Sequence, residues 1–292
     1  MQKQKRKTRN TISAIILLVV AVCALWFVMM VVYGEDKKTG DTIVIGTSGS
    51  PGGSAVSGSE ADAAAEPERP PFYDEGRSER YNAFAALSPR LAFDDAVWMV
   101  NVDLDEPPYE YARAAVDPLS LTTLVNKHFY LAEDHSPPDL VYIGNSMLRD
   151  EAASAMNEMI SAAKEEGHRL WVQSGYRSFG IQAGLYDKYS ARDGAEVADT
   201  YSARPGHSEH QLGLAADLNT VSDAFGESPE GIWAAENCWQ FGFIVRYTEE
   251  NTDITLFKPE PWHLRYIGRE AAAAMRHMGI LSFEEYWVMY AD

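Results

Sequence analysis

The longest apolar run in the chain lies near its beginning. Residues 11–33 contain no charged residue and no proline. A helix of this length extends about 34 Å, enough to cross a hydrocarbon core of about 30 Å. Basic residues precede the run, and Glu35 and Asp36 follow it. We therefore predict a cytoplasmic basic tail over residues 1–10, a single transmembrane anchor over 11–33 and an extracytoplasmic location for the rest of the chain.

Two other interpretations of this run fit less well. A cleaved signal peptide has an apolar region of about 7–15 residues followed by a site of small residues, whereas Met29 and Tyr33 at the end of this run are large. A lipoprotein cysteine at Cys23 would follow a small residue, but Val22 stands there. The pattern therefore favours an uncleaved anchor.

Apolar periodicity is absent from residue 34 to residue 82, where Gly, Ser, Pro and Ala are frequent. Such a segment buries too little apolar surface to offset the entropy of ordering it. The composition predicts a flexible extracytoplasmic linker over 34–82, whose ends lie about 40 Å apart. A linker of this kind would hold a folded domain away from the membrane.

Periodic apolar positions return at residue 83 and continue to residue 292. Helical spacing marks three segments, residues 150–166, 181–189 and 269–278. Strand-like alternation or a short apolar run marks four others, residues 169–173, 214–218, 243–247 and 262–267. Ser282 and Glu285 form a capping box that opens a last helix. The irregular interleaving predicts an α+β domain with a small, mostly antiparallel sheet and flanking helices.

Composition limits the class of function. The formal net charge of −18 argues against nucleic-acid binding by charge neutralisation. The chain has only two cysteines, Cys23 and Cys238, which excludes a disulfide framework and thiolate-rich zinc sites. Any bound metal must therefore be held by histidines and carboxylates.

Two histidines and an aspartate form a candidate metal site. His210 and Asp217 flank Gly213, where a turn would bring both side chains together, and His263 lies on a strand-like segment. Two imidazoles and one carboxylate are a common zinc set that leaves one position for water. Glu260 precedes His263 by three residues and is a candidate proton acceptor from that water.

Spacing alone leaves an alternative open, in which the two histidines are hydrogen-bonded and half-buried without a metal. Asp217 weighs against it, because a carboxylate within an apolar run is costly to bury unless it is paired or metal-bound.

The pattern Ser-x-His-x-x-Gly-x-Ala-x-Asp from Ser208 to Asp217 resembles the signature of the VanY-type D-alanyl-D-alanine carboxypeptidases. These belong to a superfamily of zinc peptidases that includes lysostaphin and the hedgehog N-terminal domain. Further segments resemble the family in the same order, namely residues 124–127, 138–140, 174–178 with Gln182, and 260–266. The similarity covers about residues 120–287.

The resemblance implies a hedgehog-like zinc cleft that holds one Zn²⁺. It implies that His210, Asp217 and His263 are the metal ligands. It also implies that Glu260 is the general base and later the acid, and that Arg177 stabilises the oxyanion. The substrate-binding residues that it suggests are Ser208, Gln182, Tyr176 and Trp262.

Two further residues, His207 and Lys258, lie close in sequence to the candidate site residues. His207 occupies a free position of the motif, so we expect it at the rim of the site or behind the ligands and not on the metal. Lys258 lies close to Glu260 in sequence, where a cation would favour the ionised base.

The expected protein is a membrane-anchored zinc carboxypeptidase that hydrolyses the terminal D-Ala–D-Ala bond of peptidoglycan stem peptides outside the cell membrane. A peptidoglycan endopeptidase or an L,D-carboxypeptidase on the same scaffold remains an alternative. A non-catalytic zinc-fold module that binds the cell wall is a third possibility. It is disfavoured because Glu260 and Arg177 are both present.

Overall fold

The computed structural model describes residues 69–291. The predicted cytoplasmic tail, the transmembrane anchor over 11–33 and most of the predicted linker lie outside these residues. Among the helices of residues 69–291, none combines the length and the apolar character needed to cross a bilayer.

Helices and short strands alternate along this part of the chain. The α-helices within residues 69–291 are α1 (Ser78–Leu87), α2 (Phe93–Asn101), α3 (Asp150–Glu165), α4 (Phe179–Asp193), α5 (Ala195–Ala198), α6 (Pro229–Asn237), α7 (Thr252–Thr255), α8 (Arg269–Met278) and α9 (Phe283–Tyr290). The strands are β1 (Arg113–Ala114), β2 (Phe129–Tyr130), β3 (Leu140–Ile143), β4 (Ser146–Arg149), β5 (Val172–Ser174), β6 (Ala215–Leu218), β7 (Phe243–Val245) and β8 (His263–Tyr266).

A four-stranded sheet lies at the centre of the domain, with the strand order β5-β6-β8-β7. All three of its strand pairs are antiparallel. Strands β3 and β4 form a separate antiparallel hairpin, and β1 and β2 form a short parallel pair. The predicted α+β class with a small, mostly antiparallel sheet is therefore confirmed for the described residues.

Helix α3 shows how the apolar pattern becomes packing. Its buried residues include Ala152, Met156, Met159 and Ala163, which recur at helical spacing and face the core. Burying one such methionine contributes about 1.5–3 kcal/mol. The α3 face shares one hydrophobic cluster with the central sheet and with α8, so the helix supports the sheet from one side.

Two elements at the C-terminus match their prediction closely. Helix α8 spans Arg269–Met278, as the pattern indicated. The Ser282 hydroxyl accepts a hydrogen bond from the backbone N–H of Glu285 at the start of α9. This bond is the Ser282 half of the predicted capping box.

Helix α1 begins at Ser78, inside the segment predicted as linker. Only Tyr81 of its ten residues is fully buried, so the helix carries no apolar stripe that a sequence pattern would reveal. The Tyr81 hydroxyl donates to Oδ1 of Asn101 at 2.6 Å, which ties α1 to the end of α2. Folded sequence therefore starts before the predicted boundary at residue 83.

Candidate zinc site

Asp217 and His263 are brought together by the pairing of β6 with β8. The two residues are direct partners across these antiparallel strands, and directly opposed residues project from the same face of a sheet. Ser174 is the partner of Asp217 on the other side, in β5. The sheet register therefore places a carboxylate and an imidazole side by side, facing one cleft.

His210 reaches the same cleft from the turn that precedes β6. The turn spans Glu209–Leu212 and ends at Gly213, whose φ of +67° is left-handed. A Cβ at Gly213 would lie 2.8 Å from Cδ2 of Leu140, so a side chain would be both strained and crowded there. The predicted glycine turn between two ligands is confirmed.

The three predicted ligands converge closely. Nε2 of His210 lies 3.4 Å from Oδ2 of Asp217, and Nδ1 of His263 lies 3.3 Å from Oδ1 of Asp217. One ligand atom from each residue falls within 4.8 Å of the others, and all three side chains are buried. Ligand atoms about 2.0–2.1 Å from a tetrahedral zinc are separated by about 3.3 Å, so the spacing fits this metal.

Two of these ligand atoms are orphaned within the described structure. Nε2 of His210 and Oδ1 of Asp217 are buried without a hydrogen-bond partner there. Unpaired buried polar atoms cost about 1–3 kcal/mol each. A metal ion that accepts both lone pairs removes this cost, so the residues fit a Zn²⁺ ion.

Hydrogen bonds on the far side of each imidazole fix which nitrogen faces the metal position. Nδ1 of His210 lies 2.7 Å from the carbonyl oxygen of Gly175, so Nδ1 carries the proton and Nε2 presents its lone pair. Nε2 of His263 lies 3.4 Å from Oε2 of Glu209, which leaves Nδ1 directed at Asp217. His210 therefore presents Nε2 to the metal position, whereas His263 presents Nδ1.

Glu209 is a functional residue that sequence reasoning missed. It is buried, and its Oε1 accepts a hydrogen bond of 2.8 Å from Nε of Arg246. Arg265 also lies near, with Nη1 3.4 Å from Oε1. Burial would raise the pKa of Glu209, but Arg246 and Arg265 outweigh it and hold the pKa well below its ordinary value. The carboxylate therefore stays ionised behind His263.

The carboxylates of Asp217 and Glu209 lie on either side of the His263 imidazole. Burial lowers the pKa of His263, but Asp217 and Glu209 outweigh burial and raise this pKa to about 9. Burial would likewise raise the pKa of Asp217, but His210 and His263 hold it well below its usual range. Carboxylates packed this densely favour a cation at their centre.

Glu260 lies beside the ligands on the segment that leads into β8. Its Oε2 is 3.5 Å from Nδ1 of His263, and its backbone N–H donates to the carbonyl of Tyr247 at 2.9 Å. Burial raises the pKa of Glu260 to about 7, a value suited to an exchange of protons near neutral pH. The arrangement can both accept and return a proton.

Lys258 does not have the effect expected of it. Its Nζ lies 5.9 Å from the ring centre of Tyr201, and the cations that lower the pKa of Glu260 are His263 and Arg177. The backbone N–H of Lys258 donates to Thr200, and its side chain is exposed. The expectation that Lys258 favours the ionised form of Glu260, which rested on proximity in sequence, was therefore wrong.

The ligands open into a cavity of about 560 Å³. Four further residues predicted for the site line it, namely Arg177, Gln182, Ser208 and Trp262. Tyr176 is not among its lining residues, and its hydroxyl donates to Oγ of Ser136 at 3.2 Å. The structure therefore does not support a contact between Tyr176 and a molecule in this cavity. The far part of the cavity is lined by residues that no motif marked, Leu185, Tyr189, Arg192 and Tyr201.

Arg177 and Gln182 each carry a buried polar atom without a partner in the described structure. For Arg177 the atom is Nε, and its backbone N–H is bonded to the carbonyl of His210 at 3.1 Å. For Gln182 the atom is Oε1, because Nε2 donates to the carbonyl of Ala203 at 2.8 Å. Both residues line the cavity, so each contributes a polar side chain to its wall.

His207 lies outside the group of ligands, as expected. Its Nδ1 is 2.7 Å from the carbonyl of Asn126, and its ring packs against Tyr109 and Tyr130. Burial lowers the pKa of His207. The residue thus supports the loop before Ser208 from behind.

Solved structures similar to this chain define the class of protein. The structure of the LdcB LD-carboxypeptidase has a TM-score of 0.58 and 36% identity, and the match covers 62% of this chain and 91% of that one. VanYB in complex with D-alanine-D-alanine has a TM-score of 0.52 and 33% identity, covering 58% of this chain and 98% of that one. A point mutant of the D,D-pentapeptidase VanY bound to Zn(II) matches with a TM-score of 0.51 and 34% identity, covering 56% of this chain and 97% of that one. With the three converging ligands, the fold defines a zinc peptidase.

Sequence comparison narrows the class to a family. The family model for D-alanyl-D-alanine carboxypeptidase (VanY) matches residues 145–269. The protein YodJ of Bacillus subtilis (strain 168) is 38% identical over 187 residues, which cover 59% of this chain and 68% of YodJ. The bifunctional dipeptidase and carboxypeptidase VanXYC of Enterococcus gallinarum is 31% identical over 157 residues, which cover 50% of this chain and 82% of that protein. The chain belongs to the VanY-type D-alanyl-D-alanine carboxypeptidase family.

Coverage differs among the relatives. The D-alanyl-D-alanine carboxypeptidase of Enterococcus faecium is 37% identical over 143 residues, and the chain spans only 44% of its length.

Proposed function

We propose that this protein is a membrane-anchored carboxypeptidase that removes the terminal D-alanine from peptidoglycan stem peptides ending in D-Ala-D-Ala. The observation that carries the proposal is the convergence of His210, Asp217 and His263 beside the half-buried carboxylate of Glu260 in an open cleft. The similarity to VanYB in complex with D-alanine-D-alanine supports this substrate class.

Each residue of the cleft has a defined task in this proposal. A Zn²⁺ ion held by the three ligands would polarise the scissile carbonyl and lower the pKa of a water molecule. Glu260 accepts a proton from the attacking water through its carboxylate. As the C–N bond breaks, Glu260 returns this proton to the leaving amine, which departs as free D-alanine.

Three polar residues would position the substrate. The guanidinium of Arg177 meets the negative charge that develops on the carbonyl oxygen. Gln182 lines the cavity and would contact the backbone of the substrate. Ser208 is buried at the cavity wall and binds the terminal carboxylate through its hydroxyl. Trp262 forms part of the apolar wall of the same cavity.

A second candidate is an L,D-carboxypeptidase, because the LdcB LD-carboxypeptidase is similar to this chain over 91% of its own length. The two activities differ in the residue that precedes the released D-alanine. Loops at the end of the cleft decide between them and also determine whether a cross-linked stem is admitted.

Product analysis separates these activities. The full chain with zinc is incubated with a stem pentapeptide ending in D-Ala-D-Ala, with the corresponding tetrapeptide and with a cross-linked stem. Release of D-alanine from the pentapeptide supports the proposal. Preferential cleavage of the tetrapeptide indicates the L,D-carboxypeptidase, and cleavage of the cross-linked stem alone indicates an endopeptidase.

The proposed location rests on residues 11–33. The uncharged run and the basic residues before it favour a single-pass anchor with a cytoplasmic N-terminus and an extracytoplasmic zinc domain. We expect the full chain to stay with membranes in alkaline carbonate and a variant that lacks residues 1–33 to be released. Release of the full chain would contradict the anchor.

A further inference from the structure

A buried lysine outside the cavity, Lys127, binds the backbone of two chain segments. Lys127 is 4% exposed, and its Nζ donates to the carbonyl oxygens of Asp199 at 2.8 Å and Leu256 at 2.6 Å. Burial lowers the pKa of Lys127 to about 8. Keeping the ammonium in the interior costs free energy, so we expect it to have a specific role in the protein.

The carbonyl of Leu256 begins the segment that carries Glu260. We call residues 256–260 the base segment. Leu256 has a left-handed φ of +60°, a conformation that is sterically strained for a residue with a side chain. The hydrogen bond from Lys127 holds this strained residue in place, four positions before Glu260.

The carbonyl of Asp199 belongs to a neighbouring segment that leads into the lining of the cavity. Asp199 precedes Thr200, whose own carbonyl accepts a hydrogen bond of 2.8 Å from the backbone N–H of Lys258. The chain then continues to Ser202 and Ala203, which line the cavity. A single ammonium thus joins the base segment to this neighbouring part of the cavity lining.

Aromatic rings close the remaining sides of the ammonium. Nζ of Lys127 lies 4.3 Å from the ring centre of Phe257, a member of the base segment, and 5.9 Å from that of Tyr109. A cation over the face of such a ring is stabilised, more so when it is desolvated. The enclosure gives the ammonium one fixed position from which both carbonyls are reached.

From this geometry we infer that Lys127 is a positioning residue for Glu260, which sets the distance of the base segment from the metal ligands by binding the carbonyls of Leu256 and Asp199 at once. The inference rests on the peptidase activity proposed for this site. Lys127 touches neither a ligand nor the cavity, so its effect on the reaction passes through the backbone of the base segment. A displacement of a reacting group by 1 Å costs up to about 100-fold in rate.

The test is the substitution Lys127→Met, which keeps most of the side-chain volume and removes the donors. Its control is Lys164→Met on the exposed surface of α3. Both variants of the full chain are loaded with zinc and assayed for D-alanine release from the stem pentapeptide. We expect Lys127→Met to bind about one zinc, to lower kcat about 10- to 100-fold and to change KM less than threefold. The control should match the wild type.

Hydrogen exchange of the same proteins reports the position of the base segment directly. The amides of Lys258 and Glu260, bonded to Thr200 and Tyr247, should exchange at least about tenfold faster in Lys127→Met. Exchange in α3 and α8 should be unchanged. This measurement needs no substrate, so it still tests the inference if the wild type releases no D-alanine and the proposed function fails.

Folded Lys127→Met with a wild-type kcat and wild-type exchange at Lys258 and Glu260 would overturn the inference, whatever its melting temperature. If this variant does not fold, Lys127→Gln takes its place. The amide nitrogen of glutamine ends one bond short of Nζ and cannot reach both carbonyls. A wild-type kcat in Lys127→Gln would equally overturn the inference.

Discussion

Oε2 of Glu209 lies 3.4 Å from Nε2 of His263, on the side of the imidazole that faces away from Asp217. The carboxylate thereby determines which ring nitrogen is presented to the metal. Arg246 and Arg265 hold Glu209 in turn, so the orientation of a metal ligand depends on buried charges beyond the cleft. Such outer partners commonly change metal affinity by 10- to 100-fold.

The first prediction concerns this outer partner. Glu209→Gln keeps the size of the side chain but removes the charge that stabilises the proton on Nε2 of His263. We expect the zinc affinity to fall at least about tenfold. Competition with a chromophoric chelator measures it. Glu270→Gln, on the exposed surface of α8, is the control, and an unchanged affinity in Glu209→Gln would show that His263 is oriented by other contacts.

The second prediction separates metal binding from proton transfer. Glu260→Gln leaves the three ligands intact but cannot accept a proton. We expect about one zinc per chain, as in the wild type, and a loss of about 10²- to 10⁴-fold in kcat for D-alanine release. Zinc content and steady-state rates are measured on the same preparation. A rate within threefold of the wild type would mean that another group accepts the proton.

The sequence predicted the ligands well because each carries a local signal. Asp217 interrupts an apolar run, and Gly213 permits the turn that brings His210 beside it. The helices with an amphipathic pattern, such as α3 and α8, were predicted for the same reason. A local pattern is enough where the interacting residues lie close together in the sequence.

Features that depend on distant partners were not predictable. Glu209 meets Arg246 37 positions away, and Arg246 meets Glu284 38 positions further along. Nothing in the neighbourhood of Glu284 marks it as buried. Helix α1 was missed because its one buried side chain, Tyr81, finds its partner in α2. Tertiary contacts decided these positions, and a single sequence shows only local ones.

The third prediction addresses the network that joins α9 to the site. Glu284 is fully buried and accepts hydrogen bonds from Nη1 and Nη2 of Arg246 at 3.0 and 2.6 Å. Glu284→Gln removes one charge and leaves two buried arginines with Glu209 alone. We expect a loss of about 3–5 kcal/mol in the free energy of unfolding. Urea titration followed by tryptophan fluorescence measures it.

Glu285→Gln is the matched control for this substitution, since Glu285 follows in the same helix and is only half-buried. Its effect should stay below about 1 kcal/mol. Equal effects of the two substitutions would mean that the buried pair contributes no more than a surface charge does.

The fourth prediction is a dependence of stability on pH. Burial lowers the pKa of Lys127 from 10.5 to about 8, helped by Arg204 and opposed by Asp199. Between these two values the unfolded chain binds the proton that the folded chain has lost, so stability rises with pH. The free energy of unfolding of the wild type, relative to Lys127→Met, should therefore increase from pH 8 to about 10.5. A difference that is constant over this window would contradict the lowered pKa.

The last prediction concerns removal of the metal. Nε2 of His210 and Oδ1 of Asp217 are buried without hydrogen-bond partners among residues 69–291, so Zn²⁺ binding should stabilise the fold. At a free zinc concentration 100 times the Kd, the gain is about 2.7 kcal/mol. A chelator should abolish D-alanine release and lower the melting temperature, and added zinc should restore both.

His210→Ala should lose the response to zinc, whereas His277→Ala, exposed on α8, should keep it. Equal melting temperatures for the zinc-loaded and chelated wild type would show that these atoms do not hold the ion.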